Sequence, residues 1–148
     1  MINVFQLPFE TRLRSWYDLR QNLQNADIET KCVEIDRFWQ SAPLVNHHLH
    51  PHDVGNWPGP WDLISENTYC EIARGLGMVY TLILLGIDDI DFCLASDDNS
   101  EDVAIVLVDN AKYVLNYWPG MVLNIKSADF KIKETLDIDK IKKIIGDT

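Results

Sequence analysis

The hydrophobic period of the chain changes once, at Gly86, and that change constrains the class of fold. Between residues 68 and 85, Tyr69, Ile72, Ala73, Leu76, Val79, Tyr80 and Ile83 recur at helical spacing, and the second half of the stretch is apolar almost all round. A helix with so little polar surface belongs in the interior, and Gly86 is placed to stop it. Downstream, residues 90–95, 103–108, 112–118, 121–125 and 130–136 are short runs rich in β-branched and aromatic residues, separated by turn signals. Asp109 and Asn110 predict a hairpin turn between the second and third runs. Residues 137–146 then bring Ile138, Ile141 and Ile145 onto one face of a short closing helix. Helices first and an antiparallel sheet after them is an α+β order, with the central helix packed on the sheet.

Upstream, residues 10–25 carry Leu13, Trp16, Leu19 and Leu23 along one helical face, and a second helix starts at Asp27, a good N-cap, and runs through Ile28, Cys32, Ile35, Phe38 and Trp39. Pro43 ends it. At 148 residues the chain suits a single core. The expected organisation is one domain over 1–148: a helical pair (1–42), an irregular His-, Pro- and Trp-rich connection (43–66), and a helix-plus-sheet core (67–148). No internal repeat interrupts it.

Thirteen basic against twenty-three acidic residues leave a net charge of −10, which opposes binding to a phosphate backbone and makes nucleic acid a poor partner. A protein partner with a basic surface fits that charge better. The acidic run from Asp88 to Asp102 reads as a solvated loop and strand edge, because it lacks the spacing and closing Glu of a calcium-binding helix–loop–helix motif. Three cysteines, none in a CxxC pair, cannot all pair within one chain, and a reducing compartment is expected. With no basic segment and long apolar run at the start, and an apolar stretch at 78–87 too short to span a bilayer, the expected location is cytoplasmic and off the membrane.

Thr68-Tyr69-Cys70-Glu71 reads as a capping box, which places Cys70 at the second position of the central helix, where the helix dipole favours a thiolate. The run Cys70-Glu71-Ile72-Ala73-Arg74-Gly75-Leu76-Gly77-Met78 is similar to the opening of the nucleophile helix in transglutaminase-like cysteine enzymes, a branch of the papain-like superfamily. The stretch from Asp102 to Asn116 resembles the strands that follow it in that family, and most of all those of bacterial transglutaminase-like proteinases. The resemblance spans residues 60–125 and implies a transglutaminase-like fold with Cys70 as nucleophile, a base at Glu101 or Asp102, and an orienting group at Asn116. No histidine follows His52. A carboxylate beside a thiol is a poor proton shuttle at neutral pH, so the pair cannot do what Cys with His does. The resemblance therefore implies a non-catalytic domain, a pseudoenzyme acting in interaction or assembly, and its compact size resembles small proteins of tailed bacteriophages, for which a virion or host cytoplasm would be the location. The alternative is a cysteine hydrolase or acyl-transfer enzyme in which Cys70 takes its base from the upstream segment, at His48 or His50, with Asn116 as orienter.

That segment, residues 46–53, holds all four histidines. Alternate residues of an extended chain share a face, so His48, His50 and His52 are candidates for a zinc-like cation, with Asp53 or Cys70 completing the shell; the plain alternative is solvent-facing imidazoles and no cofactor. Trp57, Trp61 and Trp118 are candidates for partner contact, against the alternative that they seal the core.

Overall fold

A computed structural model of the protein describes residues 3–45, 49–118, 121–127 and 129–146. Five α-helices and five strands are present among them, in the order α1 (Phe9–Leu23), α2 (Ile28–Gln40), α3 (Pro60–Glu66), α4 (Glu71–Leu84), β1 (Ile90–Asp97), β2 (Asp102–Val108), β3 (Tyr113–Trp118), β4 (Met121–Asn124), β5 (Phe130–Thr135) and α5 (Ile138–Gly146). The strands form one antiparallel sheet in the order β4-β3-β2-β1-β5, so the chain crosses from one edge of the sheet to the other between β4 and β5. Helix α4 lies across β1, β2 and β3 on one face, with α2 beside it against β3 and β4. The α+β class, the five strands and the buried central helix agree with the expectation.

The period-2 alternation decides which residues meet α4. Phe92, Ala104, Val106 and Val108 face the helices, while Cys93, Ala95, Ile105 and Leu107 build a smaller apolar cluster on the opposite face, covered in part by Tyr117 and Phe130. Asp27 caps α2 as expected, its Oδ1 accepting the Thr30 N–H at 2.7 Å. Asp109, Asn110 and Ala111 all take positive φ at the β2–β3 turn, and Gly86 (φ +82°) ends α4.

Three local features depart from the sequence expectation. Residues 60–66 form a helix rather than an irregular connection; Pro60 stands at its first turn, where the missing N–H costs nothing, and Asn67 ends it in the left-handed region. Helix α4 begins at Glu71, later than expected, so Thr68 is no cap and Cys70 is itself the extended N-cap residue (φ −121°, ψ −179°). The cause is tertiary: Tyr69 bridges Leu44 in parallel and its carbonyl accepts the Val45 N–H at 2.9 Å, which holds residues 68–70 extended. Trp57 is buried, packed edge-on against Phe92 with its Nε1 donating to the His50 carbonyl at 2.9 Å, and so cannot meet a partner. Trp61, lying on Trp16, and Trp118 are exposed.

The aromatic interior is organised by polar groups that the periodicity does not reveal. The buried Thr81 hydroxyl donates to the Gly77 carbonyl and accepts both the Trp16 and the Trp39 indole N–H groups, at 2.9 and 3.0 Å. Buried Arg12 donates to the carbonyls of Leu7, Ile64 and Ser65, tying α1 to the end of α3. None of the described helices is long and apolar enough to cross a membrane.

Candidate functional site

Pro43 stops α2 and sends the chain along the start of α4, where the Leu44–Tyr69 bridge pins it. Between this segment and the sheet opens a cleft of about 810 Å³. Its floor is a row of facing residues on three neighbouring strands: Ala104 on β2, its partner Leu94 on β1, and Glu134 on β5. One wall is Cys70, Glu71 and Ile72; the other is Leu44, Val45, Leu49, Pro51 and His52. Leu44 and Val45 in that wall are 51% and 42% exposed, so the apolar lining of the cleft reaches solvent at its mouth.

Cys70 lies in the wall of this cleft, buried, with its Sγ accepting the backbone N–H of Leu49 at 3.4 Å. Among the described residues no imidazole is within hydrogen-bonding reach of that sulfur. His52 lines the cleft, but its Nε2 pairs with Glu134 at 2.9 Å. His50 does not line it; its Nδ1 accepts the His52 N–H at 3.2 Å. His47 and His48 lie outside the described residues, so the expected base at His48 and the full His48, His50, His52 metal set are not placed. Among the described residues no three or more His, Cys, Asp or Glu gather as a metal group.

Asn116 sits beneath the helix start at positive φ (62°), a conformation Asn tolerates. Its Nδ2 donates to the carbonyls of Glu71 at 3.0 Å and Ala104 at 2.8 Å, and its Oδ1 accepts from Gln40 Nε2 at 3.1 Å. Its own backbone N–H donates to Asp36 Oδ1 at 2.9 Å. Both Nδ2 donors are thus in use, and the amide oxygen already accepts one hydrogen bond. Asn116 acts as a clasp between α2, α4 and β2. Asp36 is buried, and its carboxyl is held above the ordinary range by that burial, against the opposing pull of the Asn116 and Gln40 hydrogen bonds and of Arg74. Arg74 donates from Nε and Nη2 to the Ala42 carbonyl and from Nη1 to Gln40 Oε1.

The strand that Asn116 draws up to the helix start begins Asp102-Val103-Ala104, and all three residues line the cleft. Neither expected base is poised for the thiol: the Glu101 side chain is exposed, and Asp102 is paired with Lys133 at 2.6 Å. The charges around the cleft are therefore matched with one exception. Asp102 has Lys133 and Glu134 has His52, whereas the Glu71 carboxylate makes no hydrogen bond or ion pair among the described residues. Partial burial raises the Glu71 carboxyl above its ordinary range; Arg74 opposes this, and Glu101 and Asp97 add to it. The His52–Glu134 pair and the lone Glu71 were not legible in the sequence, because β5 meets residues 49–52 only in the folded chain.

No family model matches the chain, and no curated protein matches it by sequence. Solved structures do. It is similar to Legionella pneumophila LapG in its calcium-bound form (11% identity, 88% of this chain and 77% of that one, TM-score 0.73). It is similar also to LapG in a second structure (12%, 94% and 87%, 0.73) and in an EGTA-treated one (11%, 92% and 89%, 0.72). All three come from one bacterium and add nothing to the resemblance to phage proteins. LapG is a transglutaminase-like cysteine protease, and at these identities the likeness is one of architecture. The chain has a transglutaminase-like fold.

Proposed function

We propose that this protein is a non-catalytic transglutaminase-like domain that acts by binding a protein partner, as an interaction or assembly component. The observation that carries the reading is the commitment of Asn116, whose two N–H donors go to Glu71 and Ala104 and whose oxygen accepts from Gln40, all within the scaffold. Activating a thiol takes a base within hydrogen-bond reach and a third group to orient it. Here the third group is committed elsewhere, and the strand beside Cys70 offers Asp102, Val103 and Ala104 in place of an imidazole. The cleft itself persists, and an apolar cleft with a few polar groups is a binding site whether or not chemistry follows.

A second reading rests on one specific observation: His52, oriented by Glu134, lines the same cleft as Cys70. A cysteine hydrolase or acyl-transfer enzyme could draw its base from there if residues 49–52 moved inward. p-Nitrophenyl acetate separates the two. The non-catalytic reading expects no burst of p-nitrophenol and the same slow hydrolysis from wild type, Cys70→Ala and His52→Ala. An acetyl adduct on Cys70 in the intact mass, absent from His52→Ala, would establish the enzyme instead.

A further inference from the structure

We infer that the cleft beside Cys70 receives an extended segment of the partner protein that carries apolar side chains and, among them, a lysine or arginine whose cation meets Glu71. This rests on the interaction-domain reading above and says what that partner must present. The cleft runs across β2, β1 and β5, and three strands at the usual spacing of about 4.8 Å give it the length for an extended chain rather than a single side chain. Its apolar wall is open to solvent at Leu44 and Val45, so an extended occupant can run on out of the cleft there.

Charge selects the occupant further. Lys133 and His52 already have their carboxylates, so among the described residues that line the cleft no cation is left over for an acidic ligand. The Glu71 carboxylate has no hydrogen bond or ion pair among the described residues; nearby Arg74 acts on it through its charge alone, its donors going to the Ala42 carbonyl and Gln40 Oε1. Any occupant that covers Glu71 without bringing a cation must strip water from an unpaired carboxylate, which disfavours neutral and acidic segments alike. Asp97 and Glu101 nearby, and the net charge of −10, bias encounter in the same direction.

The test is a ¹H–¹⁵N NMR titration of the full chain with acetyl-Leu-Val-Lys-Leu-amide, with the same peptide bearing norleucine in place of lysine, and with n-butylamine. The lysine peptide is expected to shift the Leu49, Glu71 and Ala104 amides and to bind at least fivefold more tightly than the norleucine peptide. Glu71→Gln should erase that difference, and butylamine should bind at least tenfold more weakly than the lysine peptide. Equal affinity for the two peptides, shifts confined to another surface, or no binding at millimolar peptide would overturn the inference. Butylamine binding as tightly as the peptide would overturn it too, in favour of a small amine. Should Glu71→Gln fail to fold, the lysine–norleucine comparison on the unaltered chain decides alone. Mass spectrometry of the recovered peptide keeps the two proposals apart. Cleavage or acyl transfer lost in Cys70→Ala would end the non-catalytic reading while the cleft assignment stands, whereas an intact peptide that never bound would end only the assignment.

Discussion

Asn116 shows how one side chain can tie three elements together at the start of a helix. An aspartate there would turn the Nδ2 donor into an acceptor facing the carbonyls of Glu71 and Ala104, 3.0 and 2.8 Å away. Asn116→Asp is expected to cost about 2–3 kcal/mol at pH 7, the scale of two lost buried hydrogen bonds and an added repulsion. The new carboxyl would titrate above its unfolded value in the fold. Its favourable, protonated contribution is then present at low pH and lost as pH rises through the folded value. Urea denaturation should accordingly find a smaller deficit at pH 4 than at pH 7; a deficit independent of pH would mean that the clasp contributes nothing. The asparagine was visible in the sequence as the counterpart of an orienting group. What consumed it was not, since Gln40 and Glu71 lie far from it along the chain.

Among the elements, the contact between α2 and α4 depends on an absent side chain. A Cβ built on Gly77 would stand 2.5 Å from the Trp39 indole, and that ring is fully buried among Phe5, Phe38, Tyr69 and Trp16, with its N–H held by Thr81. The ring has nowhere to move. Gly77→Ala should therefore destabilise the fold by about 2–3 kcal/mol. Gly55→Ala, where a Cβ meets nothing within 4 Å, should change stability by no more than about 0.5 kcal/mol. Thermal melts of the two variants check both values. Within the Gly75-Leu76-Gly77 run, Gly75 lets α4 approach Phe92 of β1 as Gly77 lets it approach Trp39 of α2. The start of α4 was misplaced because a capping-box pattern at 68–71 lost to the Leu44–Tyr69 bridge, and α3 was missed although Gly59-Pro60 is a fair signal of a helix start.

For the molecule as a whole, buried acids set an alkaline limit on stability. Burial first, then the negative charges of Asp109, Asp36 and Glu29, push the Cys32 thiol up to about 12. Burial likewise raises the Tyr69 and Tyr80 phenols, opposed at Tyr69 by Arg12 and reinforced at Tyr80 by Asp62. In the unfolded chain these groups release their protons at their ordinary values, while the fold holds them. The unfolded state thus binds fewer protons above about pH 9, and stability falls as pH rises from there through the folded value near 12. The free energy of unfolding is expected to drop by about 2 kcal/mol or more between pH 8.5 and 10.5. Urea titrations across that range should show it, with a shallower slope for Cys32→Ala. An unchanged slope in that variant would remove Cys32 from the account.

Local periodicity alone determined the α+β order, the five strands, the buried central helix and the Asp27 cap, because a helix or a strand announces its buried face at spacings of 3.6 and 2 residues. The transglutaminase-like architecture was legible through the run that follows Cys70. Tertiary structure decided the site. The pairing of His52 with Glu134 and the hydrogen bonds of Asn116 with Gln40, Glu71 and Ala104 depend on groups brought together from α2, residues 49–52, β2 and β5. Those distances are set by packing between segments remote in the chain, and no spacing within one segment records them.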